Sequence, residues 1–119
     1  MEKKYKYIDL TYVNEIAEGN NELIQELIGI YKSQVDEYIV DFHKYLETQN
    51  WDSLGALAHK SKSSAAVMGL HSLAIDLKEL EILAKSHEKT ETYHTYVEKF
   101  EHISKNAVLE LDDFLLSLK

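Results

Sequence analysis

Six side chains of this sequence can change charge near neutral pH and serve as base, nucleophile or metal ligand: His43, His59, His71, His87, His94 and His102. His59 stands apart by its surroundings. On a helix its neighbours at three and four positions are Gly55, Ala56, Lys62 and Ser63, three very small residues and one cation. Apolar periodicity puts Leu54, Leu57, Ala58, Ser61, Ala65 and Met68 on the inward side, and His59 falls outside that stripe. The alternative is a surface histidine of no consequence, but such a residue usually sits among charges rather than in a clearing. A competing constellation is His94, Glu98 and His102, at i, i+4 and i+8 of one helix, which could chelate a divalent ion. Glu91 and His94 echo half of a di-iron motif, which needs two copies and two further glutamates. A solvated helix face accounts better for that row. No Ser-His-Asp set, Gly-rich phosphate loop or dinucleotide fingerprint is present.

Whatever these residues do must be positioned by helices. The 119 residues contain no Pro, no Cys and four Gly, so long helices can run uninterrupted while disulfides and thiolate metal sites are excluded. Apolar residues recur at helical spacing between sparse breaks. The expected helices span about residues 10–18, 21–48, 51–68, 72–86 and 91–118. Asp9 or Thr11, Asn20 or Asn21, and Asn50 are the candidate N-caps; Gly19 and Gly69 are the candidate C-terminal stops. Ile8, Val13 and Ile16 are the expected buried side of the first helix. Short connections between long helices make antiparallel neighbours, so the expected fold is all-α: an antiparallel up-down four-helix bundle with a short additional N-terminal helix, one domain over residues 1–119.

Charge narrows the partners. With 13 Lys, no Arg and 21 acids, the net charge is −8, which argues against nucleic acid and anionic membranes as partners. No window approaches the roughly 20 apolar residues of a membrane helix, and no apolar signal region follows the first lysines. The expected location is cytoplasmic.

The segment from His59 to Gly69, His-Lys-Ser-Lys-Ser-Ser-Ala-Ala-Val-Met-Gly, resembles the signature of histidine-containing phosphotransfer domains. That signature runs His, two residues, Lys, Gly, two small residues, and Gly ten positions after the His. His59, Lys62, Ser64, Ala65 and Gly69 match it in register, and Leu77, Leu80 and Glu81 match a downstream Leu-x-x-Leu-Glu element. The run from Asn20 to Leu27 looks like the start of the family's second helix, so the resemblance covers about residues 8–118. Ser63 stands where the family usually has Gly, and Ser61 where it prefers an apolar residue.

The resemblance implies that His59 carries a phosphoryl group on Nε2 as a covalent intermediate, taken from an aspartyl-phosphate of one receiver domain and passed to another. Lys62 would supply positive charge for the phosphoryl oxygens. If the third and fourth helices turn at Gly69 and Leu70, the residue level with His59 is near 80 or 81. Leu80 faces inward, which leaves Glu81 to accept a hydrogen bond from Nδ1. Gly55, Ala56, Ser63 and Ala66 would receive the partner, and Gly69 would make the turn. The expected partners are receiver domains of response regulators or hybrid histidine kinases. Mg²⁺ is expected on the receiver, with no cofactor on this chain, which acts as a carrier without turnover of its own. Since the chain supplies four long helices itself, a monomer is expected. The alternative on the same bundle is a non-phosphorylated receiver-docking adaptor, which would need neither His59 nor Lys62.

Overall fold

The computed structural model describes residues 5–118, and every regular element among them is helical. Helix α1 is Thr11–Ala17, α2 is Asn21–Glu47, α3 is Trp51–Val67, α4 is His71–Lys85 and α5 is Tyr93–Ser117; a single 3-10 turn, Thr90–Thr92, leads into α5. The five expected helices are all present, with ends displaced by one or two residues.

Capping explains where two of the long helices begin. Asn20 accepts from the Leu23 N–H and Asn50 from the Ser53 N–H, each satisfying a donor that lacks an intrahelical partner. Asp9 acts at α1 without being its N-cap: its carboxylate accepts from both the backbone and the hydroxyl of Thr11, one residue beyond the boundary at Leu10. At the end of α3, Gly69 has φ +77°, and a Cβ there would lie 2.1 Å from the Asp9 carbonyl oxygen. Only glycine fits, both for the left-handed conformation and for the close approach of the N-terminal segment.

Each long helix packs against two others: α3 against α4 and α2, α5 against α2 and α4, while α1 lies on α2. The molecule measures 45 × 21 × 20 Å. At 1.5 Å per residue α2 alone runs about 40 Å, nearly the whole length. The core between these helices is built from apolar residues that recur at helical spacing. Ile24, Ile28, Tyr31, Val35, Tyr38 and Phe42 come from α2; Leu54, Leu57, Ala58 and Ala65 from α3; Leu73, Leu77 and Leu80 from α4; Val97, Phe100 and Leu111 from α5. The ring of Phe42 meets that of Phe100 edge-on at 5.0 Å, as Trp51 meets Tyr93. One expectation for α1 fails. Ile16 is 44% exposed, and Ala17 takes the buried position one residue on. In a helix of only two turns, the phase is set by the few contacts it makes on α2, and these favour the small side chain.

The N-terminal segment is held at two places. The backbone N–H groups of Lys6, Tyr7 and Ile8 all donate to the Glu110 carboxylate of α5, at 2.8, 2.9 and 3.0 Å. The Asp9 N–H donates to the Met68 carbonyl at the end of α3. This strap therefore joins the second half of α5 to the turn between α3 and α4.

Candidate functional site

The seam between α3 and α4 carries the site. Gly55 sits against Ala84 and His59 against Glu81, so the two helices run in opposite directions, as the turn at Gly69 requires. A Cβ on Gly55 would lie 3.3 Å from the Ala84 Cβ, which makes this a tight point of the seam. Gly55 is buried there. The expectation that it clears space for a partner is corrected: the missing side chain admits α4. Ala56, Ser63 and Ala66 are exposed alongside His59, in keeping with the clearing read from the sequence.

The His59 side chain is 61% exposed. Its Nδ1 lies 3.1 Å from both carboxylate oxygens of Glu81. An ionised carboxylate can only accept, so Nδ1 carries a proton, and in the neutral ring Nε2 is the nitrogen left with its lone pair. Nε2 meets no partner among the described residues.

Glu81 is buried, at 8% exposure, yet charged. Burying a lone carboxylate is costly, and this one is compensated on every side. The Lys85 ammonium donates to Oε2 at 2.7 Å, Lys62 to Oε1 at 3.1 Å, and His59 to both oxygens. The Lys85 hydrogen bond is the largest influence on its acidity, working against desolvation with Lys62 and His59 adding to it. Together they bring the carboxyl from its usual 4.5 down to about 2. Glu81 therefore stays a pure acceptor at any pH at which the protein works.

Two of these partnerships differ from the sequence expectation. Lys62 is not a free cation beside His59: its side chain is 25% exposed and paired with Glu81. Lys85 was not foreseen, although its place four residues after Glu81 is the ordinary spacing of a helical ion pair. On the far side of α3, Ser64 donates to Gln34 at 2.9 Å and Lys60 lies 5.9 Å above the Tyr38 ring, which fixes α3 on α2. His94, Glu98 and His102 lie exposed along α5. Among the described residues no group of three or more His, Asp or Glu is placed to hold a metal ion. Among them, too, no helix is long and apolar enough to cross a membrane.

No curated protein and no solved structure gives a significant match to the chain. The family model described as Hpt domain matches residues 26–113, which is 88 of the 119 residues and includes His59, Lys62, Glu81 and Lys85. With that match over most of its length, the chain belongs to the Hpt domain family, the histidine phosphotransfer modules of phosphorelays.

Proposed function

We propose that this chain is a phosphorelay carrier on which His59 accepts a phosphoryl group from the aspartyl-phosphate of one receiver domain and hands it to the aspartate of another. The observation that carries this reading is the division of labour on the His59 ring: Nδ1 is tied to Glu81 while Nε2 faces outward without a partner among the described residues. The Nε2 lone pair attacks phosphorus as the bond from phosphorus to the receiver's carboxylate oxygen breaks, and that oxygen leaves with the electron pair. The Nδ1 proton stays in place, so the ring becomes positively charged, and the ionised Glu81 stabilises it. In the onward step the same ring leaves as neutral imidazole, which makes transfer reversible. Little else is asked of the protein beyond positioning and charge, as is usual for phosphoryl transfer.

In this reading Lys62 turns toward the phosphoryl oxygens, and Ala56, Ser63 and Ala66 form the floor on which the receiver rests. The Ser63 hydroxyl is a hydrogen-bond donor that the usual glycine would not supply. The receiver brings Mg²⁺ and the acceptor aspartate. The module works as a monomeric, cytoplasmic, antiparallel up-down four-helix bundle with its extra N-terminal helix.

The test is to mix the protein with a panel of phosphorylated receiver domains and follow label onto the chain. The expected result is acid-labile, base-stable label that maps to His59. Absence of label with every receiver, or label that persists in His59→Gln, would overturn the proposal.

A further inference from the structure

Glu81 has two oxygens and a lysine on each, and the two lysines reach it from opposite ends of the site. Lys62 lies on α3, three residues after His59, and donates to Oε1. Lys85 lies on α4 and donates to Oε2; its Cγ passes 3.5 Å from the point where a Gly55 Cβ would be, four residues before His59. Of these two, only Lys62 shares a helix with the nucleophile, and in the resting structure it is engaged by the carboxylate rather than free for an incoming phosphoryl group. Moving Lys62 away removes one of the partners that compensate a buried charge, and the cost of doing so depends on what remains.

We infer that Lys85 is a positioning residue for the transfer, holding the Glu81 carboxylate so that Lys62 can leave it for the phosphoryl oxygens. This rests on the phosphorelay reading above. With Lys85 in place, the carboxylate keeps a lysine on Oε2 and the His59 Nδ1–H across both oxygens when Oε1 is vacated. Without Lys85, the departure of Lys62 leaves the carboxylate to the ring alone, so Lys62 is retained and the phosphoryl oxygens meet less positive charge. Lys85 acts through Glu81 and Lys62 and needs no contact with the phosphoryl group. Its side chain is 61% exposed, so solvent screens the pair and the expected effect is small.

The experiment is single-turnover transfer from a phosphorylated receiver to the full chain, in wild type, Lys85→Ala, Lys85→Arg, Lys62→Ala and the Lys62→Ala/Lys85→Ala double variant. Lys85→Ala is expected to slow transfer about two- to fivefold, the range of an exposed ion pair, with receiver affinity unchanged. Lys85→Arg should restore the rate. In the Lys62→Ala background the loss of Lys85 should cost nothing further, because no lysine remains to be released. A Lys85→Ala rate equal to wild type, or the same fold-loss with and without Lys62, overturns the inference while leaving the phosphorelay reading intact. Failure of the wild type to take up label from any receiver overturns that reading and the inference with it.

Discussion

His59 and His43 each face a glutamate across a seam between two helices, and they use opposite nitrogens to do so. His43 engages Glu101 through Nε2 at 2.8 Å, whereas His59 engages Glu81 through Nδ1. His87 resembles His43, with Nε2 on Asp52 at 2.9 Å. The remote nitrogen is the one that can project beyond a helix surface toward another protein. At His43 it is occupied by the carboxylate, and the nitrogen left over is the one nearest its own backbone. The carboxylates differ as well. Glu101 is about one-third exposed and has one lysine, Lys105, at 3.5 Å; Glu81 is nearly buried between two lysines. Both carboxyls are held below their usual range, Glu101 chiefly by its hydrogen bond to His43 and Glu81 chiefly by Lys85. Histidine–glutamate proximity therefore does not by itself set His59 apart; the ring nitrogen engaged and the burial of the acceptor do.

The sharpest way to break this contrast is to remove each histidine in turn. His59→Gln should abolish label from a phosphorylated receiver, and His43→Gln should leave it intact. Both variants should keep the helical circular dichroism of the wild type, because neither side chain lies in the core. Label on the His59→Gln protein would show that another histidine carries the group.

Removing the acceptors comes next. Glu81→Ala should slow transfer about a hundredfold, the scale of losing orientation at a reacting group, with receiver binding nearly unchanged. Glu101→Ala should not slow it. Equal effects of the two changes in stopped-flow transfer assays would mean that Glu81 does not orient the ring. Lys62→Ala should cost about 1.5–3 kcal/mol of transition-state stabilisation, the worth of one charge-assisted contact, with helical circular dichroism preserved. A rate matching wild type would reduce Lys62 to a structural partner of Glu81.

The smallest effect concerns acid. The folded carboxyl of Glu81 titrates at about 2 and the unfolded one near 4.5, so its contribution to stability is full above the upper value and is lost as pH falls toward the lower. Urea unfolding of wild type and Glu81→Gln at pH 7 and pH 3 should therefore show a difference that narrows in acid. A difference that stays constant or widens would mean that the ion-pair cluster does not hold the carboxyl down.

Much of this site was legible because its signals are local. The small neighbours of His59 lie within one helical turn, and the register of a hairpin turning at Gly69 brings position 81 level with 59 without any knowledge of packing. Lys85 was as accessible, since it is one turn beyond Glu81, but an i,i+4 lysine on a charged helix draws no notice until its partner is known to be buried. The role of Gly55 could not be read at all. A small residue beside a nucleophile looks the same whether it faces solvent or a neighbouring helix, and only the position of Ala84 decides. The clasp of Glu110 on the backbone of Lys6, Tyr7 and Ile8 joins parts of the chain too far apart in sequence for any periodicity to link them. Ile16 was misplaced because two turns are too few for an apolar period to define a face.

The tight point at Gly55 has a meaning for how damage to this protein would be classified. The seam is tight one turn before His59, where a Cβ on Gly55 would lie 3.3 Å from the Ala84 Cβ, and the contact from Nδ1 to the carboxylate bridges the same two helices. A methyl group at position 55 would separate the helices by a few tenths of an ångström and leave nearly everything else in place. On the phosphorelay reading proposed above, such a protein would fold and still dock a receiver, yet transfer the phosphoryl group poorly. In a survey of variants, residue 55 would score as though it touched the chemistry, although what it contributes is the spacing between two helices.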